Sequence, residues 1–522
     1  MKYLKLLSFL LLPIIFNGQS KVDESLRKLE TLLRLTDNYY VDSVDVADLV
    51  EKTIVKYLDE LDPHSAYISK DEVEKTNEPL KGNFEGVGIQ FNILYDTIMV
   101  VAAISGGPSE KLGIMAGDKI VKINQELVAG IGIKNQDVID KLRGAKGTKV
   151  EVSIYRKGIK KLIDFEITRD KIPIFSVDAV YMAAPETGYI KVNRFSATTM
   201  SEFKNGLDSL QRQGAKNLIL DLRGNSGGYL QTAIELSDEF LSNRQLIVYT
   251  EGRSFPKNEY FATANGGFEK GKLVVLIDNG SASASEIVSG AVQDWDRGLV
   301  VGRRSFGKGL VQKPYNLPDR SMVRLTVQRY HTPTGRCIQK PYEEYENDYL
   351  HRLENGEFFN KDSIKVPDSL IYYTPNDRAV YGGGGIIPDI FVSIDTSMNS
   401  DYYRDIIRKG LLYSFTIEYV DNNRKTLKKE YPTFQDFKDK FEVDESFLKE
   451  FFDFCESKEL KYNEEEYKTS KLQIDNLLKA NVARNVWQSS EFFEIYNAIN
   501  PDVQKALEVL KDGTYEKMKL SN

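Results

Sequence analysis

Residues Asn279 to Gln312 read NGSASASEIVSGAVQDWDRGLVVGRRSFGKGLVQ. The approach to them, Leu273-Val-Val-Leu-Ile-Asp278, is short, apolar and rich in β-branched residues, as a buried strand requires. Asn279-Gly280 punctuates a turn. Beyond it Ile287, Val288, Ala291, Val292 and Trp295 recur on one face of a helix. A strand, a turn and a helix thus follow one another, with Ser281, Ser283 and Ser285 at the junction. A serine there sits at the positive end of the helix, where free backbone N–H groups can stabilise an oxyanion. Ser283 and Glu286 also have the S-x-x-E spacing of a capping box, which alone accounts for both residues without any chemistry.

The second half of the stretch tips the reading towards chemistry. Gly298-Leu-Val-Val-Gly302 is another strand-like run, and Ser305-Phe-Gly-Lys-Gly309 then sets one lysine between glycines that permit close approach. Histidine is the other candidate base, but the chain has only His64, His331 and His351, none near the serines in sequence. His64, in Leu61-Asp-Pro-His-Ser65, reads as a turn or packing residue. A Ser–Lys pair needs no histidine; it needs a lysine that is neutral when it works. Lysine titrates near 10.4, and burial can lower that by ~3–5 units. A three-unit shift is ~4 kcal/mol, within reach of a closed, dry site.

Three segments in order, NGSASASEI, SFGKGLVQ and RLTVQRYHTPTGR, resemble the carboxyl-terminal processing peptidases, the S41 family of serine peptidases with a Ser–Lys dyad. The resemblance runs from about Asp59 to Val392. It implies that Ser283 is the nucleophile, Lys308 the general base and Gln312 the residue that orients the lysine. Ser281 and Ser285 do not align with the nucleophile. Gly307 and Gly309 argue against helix, and on a straight strand residues four apart lie ~13 Å from each other. Contact between Lys308 and Gln312 therefore demands a curled backbone.

From about Leu80 to Thr168 short strands alternate with glycine turns, in an order that resembles a PDZ domain. Such a domain adds a peptide strand to a sheet edge and holds the peptide carboxylate in a backbone nest. Gly86, Val87 and Gly88 match the carboxylate loop, and Ile89 begins the binding strand. Without that match these glycines make a turn or bulge and nothing more. Further on, Asn217-Leu-Ile-Leu-Asp-Leu222 is a buried strand that runs into Arg223-Gly-Asn-Ser-Gly-Gly228. This glycine turn lacks both phosphate-loop patterns. In the family it lines the active site and donates an oxyanion N–H, which implies Gly227 and Gly228 here, with Ala284 N–H as their partner. Alternating strands and helices point to parallel β-α units, and the resemblance implies an α/β spiral core of crotonase/ClpP-like type, with an inserted PDZ domain.

The chain of 522 residues has room for three or four domains. Its 41% hydrophobic and 28% charged residues are ordinary for a globular protein, and a net charge of -7 gives no basic face for nucleic acid. No H-E-x-x-H or paired-cysteine signature occurs, so neither metal nor cofactor is expected; Cys337 and Cys455 are expected to be free. Lys2 and Lys5, the apolar run Leu6 to Phe16 and Gly18-Gln-Ser20 read as a secretory leader. An exported, periplasmic protein is expected, with an uncleaved anchored form as the alternative. Leucine-rich helices follow, carrying Leu26, Leu29, Leu32 and Leu33 on one face. The residues between Gln339 and Pro375 are polar, tyrosine-rich and aperiodic, an insertion beside the active-site face with Gly382 to Gly385 as a flexible exit. Beyond Asp401 charged helices carry Phe434, Phe437 and Phe441, then Phe447, Leu448, Phe451 and Phe452, as core stripes.

The expected organisation is a leader over 1–20, an N-terminal helical region over 21–78, a PDZ domain over 79–170, a peptidase core over 171–395 with its insertion at about 340–381, and a helical C-terminal region over 396–522. The expected function is that of a serine endopeptidase that binds protein or peptide substrates by their free C-termini and cleaves near them, with self-association left open. Two rivals stand beside it: a catalytically silent scaffold that binds C-terminal peptides, and a serine hydrolase of non-peptide esters or lactams.

Overall fold

The structure, a computed structural model, describes residues 21–342, 345 and 347–520. The leader expected over residues 1–20 lies outside the described residues. The chain divides into two units, Met1–Lys70 with Pro314–Leu325, and Asp71–Lys313 with Thr326–Asn522. In the first, helices Lys21–Tyr39 and Val46–Asp59 precede a strand, Ala66–Ile68, paired antiparallel with residues 322–324. Asp45 starts the second helix by accepting the N–H groups of Ala47 and Asp48. Of the leucine stripe of the first helix, Leu26, Leu29 and Leu32 are exposed and Leu33 is half-buried.

The second unit contains a small sheet in the strand order Ile89–Leu94, Thr97–Ala103, Lys119–Ile123, Lys149–Tyr155, Ile163–Thr168. Its core is Ile98, Val100, Ile120, Val138, Leu142, Val152 and Ile154, and the helix Asn135–Leu142 supplies two of them. Ile89–Leu94 is an edge strand, so one row of its backbone groups has no neighbouring strand.

The central sheet follows. Strands β1 (Val177–Ala184) and β2 (Thr187–Val192) form an antiparallel hairpin. Strands β3 (Asn217–Asp221), β4 (Leu273–Ile277), β5 (Leu299–Gly302) and β6 (Ile390–Phe391) then add in parallel, in sequence order. Helices α1 (Thr199–Arg212), α2 (Leu230–Asp238) and α3 (Ala284–Asp294) make crossovers between them. Because side chains alternate along a strand, each strand feeds two cores. Leu218, Leu220, Val275 and Ile277 pack under Phe203, Leu207, Ala233, Ile287 and Val288 of the three helices. Ile219, Val274, Leu276, Leu299 and Val301 point to the other face. A parallel sheet is stable only with both faces covered, and each such aliphatic side chain buried contributes ~1.5–3 kcal/mol.

What covers the second face comes from the far end of the chain. The expected C-terminal helical region divides in two. Helices Asp401–Arg408, Leu411–Glu430, Phe434–Lys440, Glu445–Ser457 and Glu464–Val486 enclose an aromatic core of their own. Phe437, Phe441, Phe447, Leu448 and Phe451 are buried in it, as the stripes require, and Phe434 and Phe452 pack against it. The chain then returns to the central sheet through Ser489–Tyr496, α4 (Pro501–Val509) and Thr514–Lys517. Val503, Ala506, Val509, Leu510 and Tyr515 close the second face.

The insertion is less loose than its composition suggests. It holds the helix Asp348–Glu354 and a hairpin of Ile371–Tyr373 with Ala379–Tyr381. Gly382 to Gly385 is not a flexible exit. Gly382, Gly383 and Gly385 donate their N–H groups to the carbonyls of Leu370, Cys337 and Ile338. A Cβ on Gly385 would meet Ser305 O at 2.7 Å and Gly307 N at 3.1 Å, so glycine here serves close approach.

Candidate active site

Strand β4 ends at Ile277, and the turn after it delivers Ser283 to the N-cap of α3 at φ 55° and ψ -111°. A non-glycine residue held at positive φ stores ~1–3 kcal/mol of strain. The three serines of the cluster are separated by what their hydroxyls do. Ser281 Oγ donates to Leu222 O and Ser285 Oγ to Asn225 O, both at 2.8 Å, and both residues are fully buried. Ser283 is the partly exposed member. Of the expected capping box, Glu286 Oε2 accepts Ser283 N–H at 2.8 Å.

Glu286 does much more than cap. It is fully buried, and its carboxylate accepts four hydrogen bonds. Oε2 takes the N–H groups of Ser283 (2.8 Å) and Lys308 (2.9 Å); Oε1 takes Gly307 N–H (2.7 Å) and Ser305 Oγ (2.5 Å). Burial pushes the carboxyl above the usual glutamate range, against the pull of those donors. One carboxylate oxygen thus ties the backbone of residue 283 to that of residue 308. On the carbonyl side Tyr330, also buried, repeats the device: its hydroxyl lies 2.7 Å from Lys308 O and 3.0 Å from Ser283 O. Sequence reasoning saw Glu286 only as a cap and passed over Tyr330, although Tyr330 lies inside the RLTVQRYHTPTGR segment.

The lysine segment is held from outside as well. Arg352 in the insertion donates to the carbonyls of Ser305 (2.8 Å) and Phe306 (3.2 Å), and Gly309 N–H donates to Gln339 Oε1 at 2.9 Å. Lys308 lies before the strand Leu310–Asn316, so residues 308 to 312 are not one straight strand. Lys308 Nζ donates to Gln312 Oε1 at 3.0 Å. The contact that the extended geometry made difficult is therefore made, by a loop residue with a long side chain reaching along the start of a strand.

The turn after β3 lies against Ser283. A Cβ on Gly227 would meet Ser283 Cβ at 2.9 Å and Ala284 N at 3.1 Å. The expected oxyanion donors play different parts, however. Gly227 N–H is spent on Asn225 Oδ1 at 2.9 Å, so Gly227 serves close approach and not donation. Gly228 N–H and Ala284 N–H donate to no acceptor among the described residues. Asn225, unnoticed in the sequence, ties this turn to the serine turn: its carbonyl accepts Ala282 N–H and its Nδ2 donates to Val192 O.

In the small sheet a cavity of about 160 Å³ lies between the edge strand and the helix, lined by Phe84, Val87, Gly88, Ile89, Ile139 and Arg143 among others. Val87 and Gly88 belong to the expected carboxylate loop and Ile89 to the start of the expected binding strand, with Gly88 at φ 75°. Gly86 does not line the cavity; its backbone pairs with Asp170. Arg143, which the sequence reading missed, rests over the Phe84 ring at 4.6 Å and pairs with Glu78 at 2.5 Å. Among the described residues no group of three or more His, Cys, Asp and Glu side chains is placed to hold a metal ion.

Comparison with known proteins accords with this geometry. Peptidase family S41 matches residues 186–349, the PDZ domain residues 86–167, and a family of unknown function (DUF8443) residues 402–488. Carboxy-terminal processing protease CtpB of Bacillus subtilis is 35% identical over 332 residues, which are 63% of this chain and 68% of its own. The carboxy-terminal-processing protease of Bartonella bacilliformis is 35% identical over 331 residues, 62% of this chain and 75% of its own. A probable CtpA-like serine protease of Staphylococcus aureus is 32% identical over 328 residues, 62% of this chain and 64% of its own. The chain thus belongs to peptidase family S41: it is a serine-type peptidase of the carboxy-terminal processing kind, with a PDZ domain.

Proposed function

We propose that Ser283 and Lys308 work as a catalytic dyad on the peptide bond of a substrate captured by its C-terminus. The neutral amine of Lys308, oriented by Gln312, takes the Ser283 hydroxyl proton while Oγ attacks the carbonyl carbon. The tetrahedral oxyanion is met by the N–H groups of Gly228 and Ala284. Its collapse expels the amine, which takes the proton back from Lys308, and leaves an ester on Ser283 that water hydrolyses. The observation that carries this reading is the shared Glu286 oxygen, which holds the backbones of residues 283 and 308 side by side. The substrate C-terminus adds a strand along Ile89–Leu94, its carboxylate towards the Val87–Gly88–Ile89 backbone and Arg143.

On the sequence resemblance we also read the core as a spiral α/β fold of crotonase/ClpP-like type, and residues 1–20 as an export leader that places the protein in the periplasm. Sequencing the N-terminus of the secreted protein tests the latter; a mature chain starting at Met1 in the cytoplasm contradicts it. For the dyad, Ser283→Ala is expected to abolish turnover while leaving the binding of a peptide with a free carboxylate intact. Lys308→Ala should be as damaging, because the two residues act as one unit. Lys308→Arg should not rescue, since a guanidinium does not deprotonate. Cleavage by Ser283→Ala at the wild-type rate overturns the assignment. Peptide binding without any cleavage by the wild-type protein returns the silent scaffold.

A further inference from the structure

Residues 489–520 lie outside all three matched spans, yet they bring one buried carboxylate to both loops of the site. Asp502 is the second residue of α4 and is 4% exposed. Its oxygens accept Arg223 Nη1 at 2.8 Å, Arg303 Nη1 at 2.9 Å and Arg303 Nη2 at 3.1 Å. Asn500, which caps the same helix, accepts Arg223 Nη1 at 2.7 Å. Arg223 opens the glycine turn that carries Gly228, and its other face is bound to Asp221, Nε to Oδ1 at 2.9 Å and Nη2 to Oδ2 at 2.6 Å. Arg303 is the first residue after β5, on the segment that runs on to Lys308, and its N–H donates to Ile277 O at the end of β4.

We infer that Asp502 is a positioning residue for the reaction: it sets the turn bearing the Gly228 N–H against the segment bearing Lys308. Two guanidiniums on two separate loops converge on one carboxylate. With that charge removed they face each other across a buried space where like charges repel strongly. Asp502 touches none of the reacting groups. It acts through Arg223 and Arg303, so its loss displaces the oxyanion donor relative to the base. A structural role alone would only hold α4 on the sheet, and Tyr515 offers that comparison. The Tyr515 hydroxyl ties the same C-terminal segment to Leu273 N–H and Arg297 O without touching either loop.

This inference rests on the dyad reading given above, and the test separates the two. Steady-state cleavage of one peptide substrate and labelling of Ser283 by a fluorophosphonate probe are measured on the full chain for wild type, D502N, D502E and Tyr515→Phe, beside thermal unfolding. D502N is expected to lower kcat about tenfold or more at a KM within about twofold of wild type, since small misplacements cost that much. D502E, which keeps the charge, is expected to recover most of it, and Tyr515→Phe to lower Tm while kcat stays. Should D502N fail to fold, Arg303→Lys carries the same test, with the same split between kcat and KM expected. A kcat for D502N (or for Arg303→Lys in its place) within about twofold of wild type overturns the inference. So does a fall in kcat that Tyr515→Phe reproduces at an equal loss of Tm. If the wild-type protein takes no probe on Ser283, the dyad reading itself has failed.

Discussion

Glu286 is the residue on which the geometry of the site turns. A carboxylate accepts at both oxygens, and here each oxygen receives two donors. Glutamine has the same shape but only one acceptor oxygen, and its NH2 group would face two of those donors. Glu286→Gln is therefore expected to lower kcat about 10²-fold, the scale of a displacement near 1 Å between reacting groups, measured as steady-state cleavage with unfolding checked in parallel. Asp221 makes the matching case for stability. Burial alone would raise its carboxyl, but the Arg223 and Lys191 charges and the hydrogen bonds from Arg223 and Tyr189 outweigh burial and hold it well below the usual range. A folded value below the unfolded one gives stability that is full above about pH 4, the unfolded aspartate value, and is lost as pH falls through the depressed folded value. Asp221→Asn leaves Arg223 and Lys191 short of a counter-charge. Denaturant unfolding should show a loss of about 3–5 kcal/mol at neutral pH and a flatter decline towards acid than in wild type.

At the scale of elements, the glycine turn after β3 and the turn into α3 fit with no room between them. A Cβ on Gly228 would stand 2.0 Å from Phe195 O, at a backbone φ of 150°, whereas Gly227 meets the cap of α3. Gly228→Ala should therefore abolish cleavage and lower Tm by several degrees, read by peptide hydrolysis and calorimetry, because backbone on backbone cannot yield as a side chain would. Strands β3, β4 and β5 and helix α3 were legible in the sequence, since apolar runs and the 3.6-residue period state them directly. Ser283, Lys308 and Gln312 were singled out by the motifs around them, and the contact between Lys308 and Gln312 that those motifs imply is present. Glu286 and Tyr330 were visible as residues but not as ties, because their partners lie some twenty to fifty positions away and only the fold brings them together. The Gly382 to Gly385 run misled for the same reason. Four glycines in a row suggest slack, and nothing local reveals that a second backbone passes within contact distance. The return of residues 489–520 to the sheet was hidden because short helices with ordinary amphipathicity do not say which surface they cover.

At the scale of the whole molecule, the PDZ domain and the C-terminal helices meet: Tyr95 OH donates to Glu418 at 2.8 Å and Lys157 Nζ to Asn422 Oδ1 at 3.1 Å. On the proposed function, recognition and cleavage fall to different parts of one unit, and they should separate in kinetics. Arg143→Ala is expected to raise KM about tenfold for a peptide with a free C-terminus and to leave the KM of its amidated form unchanged, as the loss of a charge-assisted contact made equally in ground and transition states requires. The same rise in KM for both peptides would remove the carboxylate from the account. The central claim, that residue 308 activates residue 283, is tested most directly by mass mapping of a fluorophosphonate adduct on wild type and on Lys308→Ala. The account predicts a single adduct, on Ser283, formed by the wild-type protein and reduced at least about 10³-fold in rate in the variant, as expected when an activating base is removed. An adduct on another residue, or a variant that labels Ser283 at the wild-type rate, would contradict it.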